Sequence, residues 1–149
     1  MRHSLLFLAL LAGCKTVDLP EQYRPLETLS EGNFLGERTA TTVGTTVYVE
    51  DLSDWDLEDP LTHAVLLHER VHAIRQIEAG VASWAWDYLT DPDFAWAEEK
   101  LGWAVQIAEW RRVGILWDAR ALAKVLHNYP HPLGPIVSEE EAYQWLLSQ

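Results

Sequence analysis

Residues 61–80 read LTHAVLLHERVHAIRQIEAG. No proline or glycine interrupts the stretch before Gly80, and its apolar residues recur at helical intervals, so it predicts a helix from Leu61 to Glu78 that ends at Gly80. Within it, His68-Glu69-Arg70-Val71-His72 sets two histidines four residues apart. Four residues turn through about 400° on a helix, so both imidazoles leave one face, one turn apart. Two imidazoles so placed can reach one zinc ion at about 2.0–2.1 Å. Glu69, rotated about 100° from His68, falls beside such an ion rather than on it, where it can act as a base toward water. Ala64 to Leu67 before the pair, and Val71, Ala73 and Ile74 after, put this helix in an apolar setting.

Catalytic zinc usually takes three protein ligands and keeps one position open. The residues after His72, Ala73-Ile74-Arg75-Gln76-Ile77-Glu78, contain no further histidine, so the third ligand must come from another element. Glu98 and Glu99, on the next long helix, are the candidates. A helix that approaches closely enough to share a metal needs a small residue one turn beyond its ligand. Glu99 has Gly102 at i+3 and Glu98 has Leu101, which favours Glu99 and keeps Glu98 as the alternative. Gln76 lies four residues past His72 on the same face, where it could hydrogen-bond a ligand. His63 falls about 140° around the helix from His68 and is not expected to ligate. Tyr88, His127, Tyr129 and His131 are each able to donate to a developing oxyanion, and the sequence does not choose among them.

Around this centre the chain reads as mainly α, of the α+β class: a helix bundle with a short N-terminal strand or small sheet. Thr41 to Glu50 (TTVGTTVYVE) is the one strand candidate. Asp51 to Pro60 is an acidic, turn-like connection without calcium-loop spacing. Further helices are expected over Val81–Leu89, Phe94–Arg112 and Trp117–Asn128, and Ser138-x-x-Glu141 is a capping box opening a last one to Leu147. Trp84, Trp86, Trp96, Trp103, Trp110 and Trp117 fall at spacings that fit helix packing.

The whole chain has 149 residues, one modest domain, with 48% apolar and 23% charged residues. Its formal charge of −12 argues against nucleic-acid binding, which draws most of its affinity from basic surfaces. A single cysteine excludes an internal disulfide framework and an all-cysteine zinc site. That cysteine closes a basic start, Met1-Arg2-His3, and an apolar run too short to span a bilayer. Leu11-Ala12-Gly13-Cys14 resembles the bacterial lipoprotein signal, in which the cysteine is lipidated and becomes the first mature residue. The resemblance implies a signal peptide over 1–13, Cys14 as the lipid-bearing residue, and a protein anchored in the bacterial envelope, at the outer membrane or the periplasmic face. Residues 14–40 then read as tether and lead-in, and 41–149 as the functional domain.

His68-Glu69-Arg70-Val71-His72, Gln76, Gly80, Trp84, Tyr88-Leu89 and Glu99-x-x-Gly102-Trp103 together resemble small bacterial and phage zincins of the glutamate-ligand type. The likeness covers roughly residues 60 to 106. It implies a zinc metallopeptidase with His68, His72 and Glu99 as ligands and Glu69 as catalytic base, acting on a peptide or peptidoglycan-type substrate. Gly102 replaces the alanine usual there, read as a mild change. The alternative is a non-catalytic envelope lipoprotein of the same fold serving as a scaffold or partner-binding module.

Overall fold

The computed structural model describes residues 15–32 and 40–149. Cys14 and the expected signal peptide lie outside the described residues. Among the described residues no helix is long and apolar enough to cross a membrane.

The fold is mainly helical with one small four-stranded sheet on its N-terminal side, as the sequence predicts. Strands β1 (Thr16–Asp18), β2 (Thr28–Glu31), β3 (Thr41–Val43) and β4 (Thr46–Val49) are arranged in the order β1-β2-β4-β3. β1 runs antiparallel to β2, β2 parallel to β4, and β3 antiparallel to β4. Helices α1 (Pro60–Ala79), α2 (Val81–Thr90), α3 (Pro92–Val113), α4 (Ala119–His127) and α5 (Glu139–Leu147) follow.

Two expectations are corrected here. The single strand over 41–50 is a hairpin, because Gly44 takes φ +62°, a turn conformation that an L side chain rarely adopts. The span 14–40, read as tether and lead-in, contributes β1 and β2 to the sheet and places Leu19, Tyr23, Leu26 and Leu29 in a buried cluster with Val47, Val49, Leu66 and Ala73. Strands of three and four residues show too little alternation to be read in sequence, and tertiary packing defines them.

The helix ends follow local chemistry. The Asp59 carboxylate accepts from Thr62 N–H, with Pro60 opening α1. Asp91 accepts from Asp93 N–H and Phe94 N–H ahead of α3, Asp118 from Ala121 N–H ahead of α4, and Ser138 Oγ from Glu141 N–H ahead of α5. Gly114 ends α3 in the left-handed region.

Two cores flank α1. Leu66 and Ala73 face the sheet cluster. A second cluster joins Trp84, Tyr88, Trp96, Trp103 and Ile107 to residues of α4 and α5. Trp110 and Trp117 pack against it, partly buried, whereas Trp86 is 69% exposed and is no part of the core, contrary to expectation.

Candidate metal centre

His68, His72 and Glu99 meet where α1 crosses α3, and all three are buried. The two Nε2 atoms are 3.0 Å apart. Glu99 Oε2 lies 3.5 Å from His68 Nε2, and Glu99 Oε1 lies 3.4 Å from His72 Nε2. One ligand atom from each residue can be chosen so that all lie within 4.8 Å of one another. Four ligands at about 2.0–2.1 Å around zinc stand about 3.3 Å apart along each tetrahedral edge. The histidine pair, and the Glu99 oxygen nearest each imidazole, lie close to that spacing, the two carboxylate contacts being made by different oxygens.

The surroundings favour the metal-ready form of His68 and Glu99. Gln106 Oε1 accepts from His68 Nδ1–H at 3.0 Å, which leaves the Nε2 lone pair facing the centre. Tyr88 donates its hydroxyl to Glu99 Oε1 at 2.6 Å. Glu99 Oε2 is buried and takes no hydrogen bond. A buried carboxylate oxygen left so costs on the order of 1–3 kcal/mol or more, and a cation shared with the two imidazoles would remove that cost. The residues therefore fit a metal ion. Burial pushes the Glu99 carboxyl up, but the adjacent His68 and His72 imidazoles outweigh it and hold the group well below the usual carboxylate range. Burial pushes His72 down, and Glu99 beside it lifts it above the ordinary histidine value.

Glu98, the alternative ligand, turns the other way. It forms an ion pair with Arg75 at 2.9 Å and clasps α1 to α3 from outside the centre. The choice of Glu99 by its neighbour Gly102 has a direct geometric basis. A Cβ built on Gly102 would lie 2.5 Å from Cδ2 and Nε2 of His68. Alanine at position 102 would thus be no mild change: the His68 ring occupies the space its methyl would take.

Gln76 does not bond a ligand. Its Nε2 donates to Thr42 O and its Oε1 accepts from Gly44 N–H, both at 2.8 Å, so it ties α1 to the sheet. The residue that braces a ligand from behind is Gln106, which the sequence reading missed. It stands seven residues past Glu99, on the face already marked by Gly102 and Trp103, and that periodicity was the available signal.

Neither a family model nor a curated protein nor a solved structure matches the chain. The centre's chemistry is therefore read from its own residues.

Glu69 is buried beside the triangle and accepts from Thr42 Oγ1 at 2.7 Å. With His68 it lines a cleft of about 400 Å³ whose walls include Val65, Trp103, Val125 and Tyr129. Of the four oxyanion-donor candidates, three are engaged elsewhere. Tyr88 bonds Glu99, His127 Nδ1 bonds Val137 O, and His131 Nε2 bonds Tyr88 O. Tyr129 lines the cleft, and burial, then the charges of Glu99 and Glu69, push its phenol well above the ordinary value. His63 bonds the Tyr23 hydroxyl at 2.7 Å and approaches Glu109, away from the centre, as its angular position predicts.

Proposed function

We propose that the protein is a zinc-dependent hydrolase of peptide or amide bonds. The observation that carries this reading is a buried His68–His72–Glu99 triangle whose His68 lines one cleft together with a carboxylate, Glu69, that stands outside the triangle. Zinc in such a triangle supplies Lewis acidity, lowering the pKa of water and polarising a carbonyl. Zinc is favoured because two imidazoles and one carboxylate make a borderline donor set.

The side chains divide the remaining work. Glu69 takes the proton released as water attacks and returns it to the departing amine. Tyr129, a phenol held neutral by burial and by the carboxylates near it, donates to the oxygen that gains charge. Gln106 and Tyr88 hold His68 and Glu99 in register. Among the described residues the cleft walls carry no Lys or Arg and are largely apolar, with Val65, Trp103, Val125 and Pro130 among them. They suit a substrate with an apolar side chain next to the scissile bond. Peptides, including the peptide portion of peptidoglycan, meet that requirement; an acidic side chain would face Glu69 unpaired.

The envelope location follows from the resemblance of residues 11–14 to a lipoprotein signal, with anchoring through acyl chains on Cys14. Substrates would then be those present at the envelope.

The test is direct. Purified protein is assayed for zinc and for cleavage of a mixture of internally quenched peptides, beside Glu69→Gln. Stoichiometric zinc in both, with cleavage only in the native chain, is the expected result. Absence of zinc from the native chain defeats the proposal at its base. Zinc without cleavage turns the reading toward a scaffold.

A further inference from the structure

Helix α1 presents two working sides. His68 and His72 face α3, whereas Glu69 and Gln76, seven residues and two turns apart, share a side facing β3. Both grip the same residue. Thr42 Oγ1 donates to Glu69 Oε2 at 2.7 Å, and Thr42 O accepts from Gln76 Nε2 at 2.8 Å. Gln76 Oε1 also accepts from Gly44 N–H at 2.8 Å. The carboxamide thus meets the C=O of Thr42 in β3, an edge strand, and the N–H of Gly44 in the turn that follows it. Thr42, Glu69 and Gln76 are all buried.

We propose, on the reading of Glu69 as the base, that Thr42 is a positioning residue for it and that Gln76 fixes Thr42. The physical case is one of ordering. A glutamate side chain has three rotatable bonds, and a base must hold its oxygen at hydrogen-bonding distance from the proton it removes. Thr42 engages Oε2. The carboxylate that Thr42 holds through Oε2 also lines the cleft. A hydroxyl can aim a carboxylate only if its own backbone is held still. Edge strands have one unpaired side, and here Gln76 occupies it beside Thr42. The glutamine at HExxHxxxQ spacing therefore acts on the base through the strand, not on the zinc ligands.

The experiment uses zinc-loaded full-length protein, Thr42→Val and Thr42→Ser, with zinc content, crystal structures and steady-state kinetics on the best-cleaved quenched peptide. Valine keeps the shape and strand preference of threonine but has no hydroxyl; serine keeps the hydroxyl. Zinc content is expected to stay at that of the native chain in both. The Thr42→Val crystal is expected to show the Glu69 carboxylate turned away from its native position. Turnover of Thr42→Val falls about 10- to 100-fold, with KM within about twofold. Thr42→Ser recovers most of the lost turnover and the native Glu69 conformer. A purely structural role would move stability, zinc content and KM together and would not be rescued by serine. An unmoved Glu69 carboxylate in Thr42→Val, or a loss that serine fails to rescue, overturns the proposal. If Thr42→Val does not fold, Gln76→Met replaces it, since it keeps helix preference and length but cannot bond the strand. Thr42 must then shift and Glu69 must lose its fixed conformer in the crystal; an unchanged Glu69 overturns the proposal by this route as well. Should the native chain cleave nothing, the hydrolase reading fails, while the crystals still decide whether Thr42 orders Glu69.

Discussion

Gly102 and His68 occupy one shared space: a methyl group on the first would lie 2.5 Å from two ring atoms of the second. Alanine suits a helix interior better than glycine by about 0.8–1.0 kcal/mol. Gly102→Ala is therefore expected to keep α3 while forcing the His68 ring from its place. Zinc affinity should fall at least about tenfold, the low end of what disturbing a ligand's support costs. Competition against a chelating dye measures it, and helix content by circular dichroism shows that the fold persists.

The adjacent glutamates should separate cleanly on substitution. Glu99→Gln removes a charged ligand and is expected to abolish stoichiometric zinc. Glu98→Gln leaves the triangle intact and weakens the Arg75 pair. Arg75 is partly exposed, so solvent screening limits the loss to about 1 kcal/mol. Metal analysis and urea unfolding of the two variants give opposite patterns if the assignment holds.

Gln106→Leu leaves His68 Nδ1–H without its acceptor in a buried site. Zinc affinity is expected to fall about 10- to 100-fold. Gln106→Glu, which retains the acceptor, should keep most of it. Equal loss in both variants would show that Gln106 acts through packing.

Acid should weaken zinc uptake, and the sign follows from the metal-free centre. Glu99 raises the His72 pKa above the ordinary 6.5 despite the opposing effect of burial, so near neutral pH that imidazole holds a proton more readily than a free histidine would. Zinc must displace it. Affinity therefore rises as pH increases through and above the neutral range, and falls below it. Calorimetry in two buffers of different ionisation enthalpy counts the proton released.

Tyr129→Phe removes only the phenol oxygen from the cleft wall. Zinc content and stability are expected to stay near those of the native chain. Cleavage should drop about 10²- to 10³-fold, the usual cost of losing one oxyanion donor. Unchanged turnover assigns that role elsewhere.

How far the sequence carried depended on the range of the interactions involved. His68, Glu69 and His72 are legible because helical spacing alone places them. Glu99 is legible through Gly102, since close approach of two helices leaves a mark in residue size. Gln106 lies on the same face, which periodicity marks, but its role depends on a partner, His68, that only the packing of α1 on α3 supplies. Gln76 lies on the predicted helix but meets a different partner: its angular position suits a ligand neighbour and a strand neighbour equally, and the edge of β3 is there to take it. β1 and β2 escape because strands this short draw their definition from the burial of Leu29 with Tyr23, Leu26 and Val47, a long-range effect.

Helix α1 is also the seam between two hydrophobic cores, the sheet's on one side and that of the tryptophan-rich helices on the other. The triangle is built across that seam's far side, from α1 to α3, while Glu69 and Gln76 tie α1 to the sheet. An ion held there would do more than chemistry: it would make two bodies melt as one. Without it, each could loosen on its own, and unfolding would broaden. Cooperativity itself then becomes a property that the cell's metal supply can set.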